Sequence, residues 1–415
     1  MQPSVIIAGG GMAGTLLALA LDTLSQGRVR IDVIEAQLPQ AMSGSGFDAR
    51  CIALAYGSCQ QLEQLGLWAP LALHAAPIRR IHVSDRGHAG RVQLDAADYA
   101  LPALGQVVEL RRAGEALLQL LAKRPSIHWH CPASVREVQR ETERVKVTLD
   151  NGQQLQAQLL VAADGTHSQV LAQCGIRPIA QPYEQVAVIA NVRSTVAHQG
   201  QAFERFTAHG PLALLPLATG DGVPADNLCS LVWCHPSAQR ESVLAWNEPT
   251  FLQHLQQAFG WRLGRFTAVG ERHAYPLALY QHPQHVHHRL ALVGNAAQTL
   301  HPIAGQGFNL GLRDVMALAQ TLADALPNNV ENTAVDIGDY QVLRHYQRRR
   351  RDDQQTTIDT TDGLVRLFAN RYAPLVAGRN TGLLLMQALT PWRDQLARRM
   401  LGESESTKGV PCAGL

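Results

Sequence analysis

The chain's clearest chemistry lies near its start, where Val5-Ile6-Ile7-Ala8-Gly9-Gly10-Gly11-Met12-Ala13-Gly14 carries a Gly-x-Gly-x-x-Gly pattern. An apolar run precedes it and a helically spaced one follows. In that setting Gly9 permits a tight turn, Gly11 lets a pyrophosphate approach the backbone, and Gly14 lets helix pack on strand. The phosphates then meet the positive end of the helix dipole. Glu35 comes about 20 residues further on, where a carboxylate grips the ribose of an adenosine with a free 2′-OH, favouring NAD or FAD over NADP. No second unit of this kind occurs. One dinucleotide is therefore held tightly, and any nicotinamide visits without a domain of its own.

Two later constellations could serve the other end of such a ligand. An apolar run from Leu159 ends in Asp164-Gly165, where the carboxylate can project beside a cofactor and the glycine allows the turn. A second apolar run ends in Gly294-Asn295 and leads into His301-Pro302-Ile303-Ala304-Gly305-Gln306-Gly307-Phe308-Asn309. A loop with two glycines exposes backbone N–H groups at a helix N-terminus. Such a site suits the N1/C2=O edge of a flavin, where negative charge accumulates on reduction. Taken together, the motifs describe the two ends of FAD.

Other reactive side chains point less clearly. Tyr183, His198, His209 and Tyr275 all qualify as a general base, and the sequence does not choose among them. The run Gln281-His282-Pro283-Gln284-His285-Val286-His287-His288 has no carboxylate or cysteine to complete a metal site, and reads as a solvated connector. Residues 348–351, all arginine, read as a solvated helix face. The seven cysteines show no CxxC pair and read as free thiols in a reducing compartment.

The elements that must position these groups give an α/β fold. Residues 4–8, 12–26 and 30–35 form a βαβ unit. Residues 79–94 suggest antiparallel strands, and 114–123 a helix. Residues 134–162 suggest two or three strands with an Asn151-Gly152 turn before the last. Short alternating runs from 183 to 279 indicate an antiparallel sheet with one helix at 249–259. Residues 289–294 return to a buried strand, 309–325 form a helix, and the tail from 339 is helical. The expected division is discontinuous: 1–77, 100–182 and 283–335 bind the dinucleotide, 78–99 and 183–282 form a substrate sheet, and 336–415 a helical region.

A net charge of +2 over 415 residues provides no field for nucleic acid. There is no basic leader and no run of 18 apolar residues, so a cytoplasmic chain is expected.

Residues 9–14, Asp164-Gly165 and 294–314 together resemble the aromatic hydroxylases of the para-hydroxybenzoate hydroxylase type. The stretch from His301 through Gly311 to Asp314 is similar to the signature of the ubiquinone-biosynthesis hydroxylases. Phe47-Asp48-Ala49-Arg50-Cys51-Ile52-Ala53-Leu54 adds their Asp-x-Arg-x-x-Ala-Leu segment, whose arginine (Arg50) lies against the cofactor phosphates. The family's usual Gly-Asp-Ala-Ala-His is here Gly294-Asn295-Ala296-Ala297-Gln298. That departure, with Ser84-Asp85-Arg86-Gly87-His88 and Leu367-Phe368-Ala369-Asn370-Arg371, looks like the branch acting on 2-polyprenyl-6-methoxyphenol. Asn295 keeps a hydrogen bond to a ribitol hydroxyl but loses a charge.

The resemblance implies a para-hydroxybenzoate hydroxylase-type FAD domain with an interleaved antiparallel sheet. Gln106 and Arg111 would touch the FAD. It implies NAD(P)H as transient reductant, O2 as co-substrate, and hydroxylation through a flavin C4a-hydroperoxide. It also implies other ubiquinone-biosynthesis proteins as partners and peripheral contact with the inner membrane. The tail leucines are expected to pack as helix core rather than to face that membrane. Two rivals remain: a same-fold flavoenzyme for another prenylated or aromatic substrate, and a non-redox prenyl-binding protein.

Overall fold

The computed structural model describes residues 2–38, 50–218, 224–327, 335–370 and 372–402. Phe47, Asp48, Ala49, Arg371 and Cys412 lie outside the described residues. The chain begins with β1 (Ser4–Ala8), α1 (Met12–Ser25) and β2 (Arg30–Ile34). After β3 (Cys51–Ala55) and α2 (Tyr56–Gln64) come β4 (Ala75–Ile78), β5 (Arg80–Asp85), β6 (Arg91–Asp95), β7 (Gly105–Glu109) and α3 (Leu110–Leu121). Five strands follow: β8 (Ile127–His130), β9 (Val135–Arg140), β10 (Val145–Leu149), β11 (Gln154–Ala157) and β12 (Leu159–Ala162). Next come β13 (Ile179–Ser194), β14 (Gln201–Thr207), β15 (Gly210–Ala218), β16 (Pro224–Pro236) and α4 (Glu248–Phe259). β17 (Phe266–Val269), β18 (His273–Gln281), β19 (Val286–His287), β20 (Leu290–Leu292) and β21 (Gln298–Thr299) lead into α5 (Gln306–Asp324). The tail is α6 (Tyr340–Ala369), α7 (Ala373–Ala388) and α8 (Thr390–Leu401).

One six-stranded sheet runs β19-β20-β12-β1-β2-β8, with β20, β12, β1, β2 and β8 parallel. Its inner strands β1 and β12 and the neighbouring β20 are covered on both faces, which is why they read as continuous apolar runs rather than alternating ones. Val5 and Ile7 face α1 and α5, while Ile6 and Ala8 face the small β9–β11 sheet. Each such side chain contributes on the order of 1.5–3 kcal/mol by leaving water.

A nine-stranded sheet runs β21-β18-β13-β16-β15-β14-β5-β6, with β17 beside β13. The pairing of β5 with β14 is parallel and ties residues 80–85 to the sheet formed mainly by 179–281. On one face α4 packs Phe251, Leu255 and Phe259 against Leu212, Leu231 and Trp233. That helix starts where Asn247 caps Thr250 N and Pro249 pre-sets the first turn. The opposite face looks toward the parallel sheet.

Several expectations need correcting. The run from 154 to 163 is two strands in different sheets: β11 pairs with β10, and β12 pairs with β1. α3 begins four residues earlier than expected because Leu110, Arg111 and Arg112 already form its first turn. The histidine run is not a solvated connector, since His282 and His285 are buried. No group of side chains suited to a metal ion is found among the described residues. The arginines at 348–351 are not all solvated either: Arg350 is buried in an ion pair. The six cysteines among the described residues are free thiols.

Candidate active site

The three sequence motifs meet because β1, β12 and β20 are neighbours in one parallel sheet and end on the same side. Gly9, Asp164 and Gly294 each leave the carboxyl end of one of these strands, the edge where open α/β sheets bind ligands. Gly9 turns with φ +103°, and a Cβ there would lie 2.4 Å from the Ala163 carbonyl oxygen. A Cβ on Gly14 would lie 1.8 Å from the Gly9 oxygen, so the third glycine is where helix meets strand. A Cβ on Gly11 would meet nothing within 4 Å and would enter the cavity above the loop. Glu35 accepts hydrogen bonds from Gly10 N (2.7 Å) and Gln37 N (2.8 Å), which aim its carboxylate into the same space.

At the other end, a loop of unusual backbone precedes α5. Ala304 (φ +56°) and Gly305 (φ +62°) are both left-handed, a conformation that costs a residue with a side chain roughly 1 kcal/mol or more. His301 holds the loop from below. Its Nε2–H donates to Gln185 Oε1 (3.1 Å) and its Nδ1 accepts from Ile303 N (3.3 Å). Burial pushes this imidazole down to about 4, so it is neutral and serves as a latch. Asn309 pins the other side: it accepts from Ala55 N and Ser58 Oγ, and donates to the Ala53 and Gly305 carbonyls, all at 2.8 Å. All its hydrogen-bonding capacity is spent inside the protein, and it positions the loop rather than lining the cavity. Pro302, Gly305, Gln306, Gly307 and Phe308 do line it.

Between the two ends stand Asp164 and Asn295. Asp164 Oδ2 accepts from Val170 N (3.2 Å), whereas its buried Oδ1 has no partner within the protein. Burial raises this carboxyl, opposed by Ser168 and the backbone of Val170. Asn295 is exposed at the cavity wall, and its carbonyl accepts from Thr299 Oγ1 (3.3 Å). Gln298 has a structural task. Its Nε2 donates to Asp314 Oδ2 (2.6 Å), while Arg350 Nε (2.7 Å) and Gln354 Nε2 (2.8 Å) bind Asp314 Oδ1. Arg350 also reaches Asp353 (2.6 Å), which Arg313 holds from α5 (2.8 Å). Burial alone would lower Arg350 and raise Asp353. Attraction wins: the charge of Asp314 and then of Asp353 lifts Arg350, and Arg350 with Arg313 holds Asp353 below the usual carboxylate range.

A single cavity of about 1250 Å³ joins these groups, more than the roughly 300–1,000 Å³ of an ordinary ligand pocket. Gly9, Gly11, Glu35, Arg50, Asp164, Gly165 and Asn295 line it together with the 302–308 loop. The orphaned Asp164 oxygen and the open approach at Gly11, Gly165 and Gly307 suit an extended dinucleotide with its pyrophosphate at α1 and its ring at the loop. Gly14 and Asn309 act behind the wall. Gln106 lies on β7 between Leu54 and Pro77, and Arg111 faces solvent beside Glu115 (3.4 Å); neither lines the cavity.

None of the four candidate bases reaches the cavity either. The Tyr183 hydroxyl donates to Asp362 (3.3 Å), and His198 braces a turn through Ala225 O and Gly200 N. His209 is exposed, and Tyr275 lies beneath the Arg50 guanidinium. The titratable group that does line the cavity from the nine-stranded sheet is Glu204. Its signal was a lone carboxylate between Ala202 and Phe206, two residues to either side on one strand face.

Residues 2–361 match the family described as FAD binding domain. Ubiquinone hydroxylase UbiL of Rhodospirillum rubrum is 36% identical over 398 residues, spanning 96% of this chain and 89% of that protein. The 3-demethoxyubiquinol 3-hydroxylase of Escherichia coli is 34% identical over 404 residues, spanning 97% and 99%. Among solved structures, p-nitrophenol 4-monooxygenase PnpA from Pseudomonas putida superposes with a TM-score of 0.75 at 17% identity, over 96% of this chain and 99% of that one; this likeness concerns the fold. The chain belongs to the ubiquinone-hydroxylase family of FAD-dependent aromatic-ring monooxygenases, and its cofactor is FAD.

Proposed function

We propose that the protein hydroxylates a polyprenylated methoxyphenol in ubiquinone biosynthesis, giving 2-polyprenyl-6-methoxy-1,4-benzoquinol. The reaction consumes one O2 and one NAD(P)H with a proton, and returns NAD(P)+ and water. Bound FAD supplies the redox and oxygen-transfer chemistry. The hydroxyl and methoxy groups of the substrate enrich the ring position para to the hydroxyl, which is where the new oxygen belongs.

The observation that carries this reading is the reach of the cavity. From the glycine loops it passes an apolar wall of the nine-stranded sheet and ends among Leu383, Met386, Trp392, Leu396 and Met400 of α7 and α8. That path suits a ring with a long apolar tail, and its apolar walls keep water from the reacting centre. On this reading residues 1–77, 100–182 and 283–335 hold FAD, while 78–99 and 183–282 hold the ring. No helix among the described residues is long and apolar enough to cross a membrane. Leu384, Leu385, Leu389 and Trp392 are nevertheless exposed beside the cavity's tail end. A membrane surface would cover them while the lipid substrate enters. A strain lacking this protein should accumulate the polyprenyl methoxyphenol; accumulation of a differently substituted ring contradicts the assignment.

A further inference from the structure

β14 presents Ala202, Glu204 and Phe206 to the cavity. In the sheet Glu204 lies between Val83 of β5 and Ala213 of β15, and Ile81, Leu215 and Val232 extend the same apolar wall. A lone carboxylate in such a surface is costly unless it has a task. Glu204 and Ala304 of the ring loop line the same cavity, and the Ala304 backbone lies close enough to Glu204 to pull its carboxyl down. That proximity sets the carboxylate beside the loop proposed to hold the flavin ring. Burial pushes the carboxyl up to about 7, against the smaller pull of the Ala304 backbone, and no cation contributes.

The neighbouring titratable groups leave Glu204 as the one suited to accept a proton. Cys234 on β16 is a thiol pushed up by burial and then by the charge of Glu204. His301 is neutral and engaged with Gln185. Tyr183 is bound to Asp362 of α6. On β5, His82 lies against Phe203 on the far face and Asp85 is held by Arg379 (2.9 Å). Arg205 turns to Ala258 O and Ser84 Oγ. Of the other titratable groups lining the cavity, Glu35, Asp164 and His167 follow strands of the parallel sheet, Arg50 precedes β3, and Arg313 and Asp353 lie on α5 and α6.

We propose that Glu204 is the catalytic base that takes the proton of the substrate's phenolic hydroxyl when the ring lies on this wall. The phenolic O–H bond breaks and a carboxyl O–H bond forms. The electron pair left on oxygen is delocalised into the ring and enriches the para carbon, with no change of oxidation state. A base titrating near neutrality suits this role. The inference rests on the phenolic substrate proposed above.

The test uses FAD-loaded wild-type enzyme and the variants E204Q and E204D, with a short-chain 6-prenyl-2-methoxyphenol. Ionisation of the bound phenol is read from phenolate ultraviolet absorbance in the oxidised enzyme, without turnover, and kcat/KM is measured against pH. Wild type should bind the phenol increasingly as phenolate as pH rises through about 7, with kcat/KM rising in parallel. E204Q should keep FAD and bind the phenol un-ionised, with kcat/KM down about 100-fold or more and the rise near 7 gone. E204D should keep the rise at a displaced pH. A wild-type phenolate signal and pH profile in E204Q overturn the proposal. If E204Q does not fold, an unmoved profile in E204D overturns it equally. Failure of wild type to hydroxylate the phenol counts against the substrate reading instead, because the binding spectra still report on Glu204.

Discussion

Gly11 and Gly14 belong to one motif yet do different work, and the same substitution separates them. G14A places a methyl group against the Gly9 carbonyl, so it should lower stability and abolish FAD retention together. G11A places one in open cavity, so it should fold normally and lose FAD affinity alone. Thermal unfolding of the apoproteins and flavin absorbance after gel filtration check the pair; equal loss of stability in both would contradict it. These glycines, with Glu35 and the 302–308 loop, were legible in the sequence because each has a local backbone reason to be there. Asn309 was legible as part of a signature, but not its task, since its partners at residues 53–58 are brought to it only by the fold. Glu204 was hidden for the opposite reason: an acid on a strand reads as solvent-facing until the sheet's second layer is known.

The element that most constrains the site is α6, which sits outside the motifs. Its Arg350 neutralises Asp314 behind the ring loop, Gln354 donates to the same carboxylate, and its Asp353 receives Arg313. Removing one partner of a buried ion pair typically costs about 3–5 kcal/mol. R350L should therefore destabilise the protein by about that much, whereas R348L, at an exposed position, should change stability by less than about 0.5 kcal/mol. Urea denaturation of the two variants measures this, and similar midpoints would contradict it. Four consecutive arginines gave no local sign of which one turns inward. The deciding partner, Asp314, is 36 positions away on another helix. The parallel strands β1, β2, β12 and β20, by contrast, were legible as largely apolar runs, whereas β8, the half-exposed edge strand Ile127–His130, was missed along with the start of α3 and the division of 154–163.

The molecule buries several imidazoles that stay uncharged near neutrality, and these shape its response to acid. His82, His235, His282 and His301 are each pushed down to about 4 by burial. Between pH 6.5 and 4 the unfolded chain takes up these protons while the folded one does not, so stability falls as pH falls through that window. Glu204, raised to about 7, and Asp164, also raised by burial, act in the opposite sense, but these two carboxyls are outnumbered by four histidines. The melting temperature of the apoprotein should drop steadily from pH 7 to pH 4, and a flat profile would contradict this. The tail divides in a way the leucine pattern could not show. Leu383 packs on β6 residues, while Leu384, Leu385 and Leu389 face outward with Trp392. Replacing Leu384, Leu385 and Trp392 by serine should lower sedimentation with anionic phospholipid vesicles several-fold and leave FAD content unchanged; undiminished sedimentation would remove the membrane role. On the proposed reading, the cavity brings a prenylated methoxyphenol to reduced FAD for oxygen transfer. The direct measurement is turnover of the FAD-loaded enzyme with NAD(P)H, a 6-prenyl-2-methoxyphenol and 18O2, followed by mass spectrometry. One 18O atom in a 1,4-benzoquinol product is the predicted result; unlabelled phenol with all reducing equivalents recovered as labelled hydrogen peroxide would contradict it.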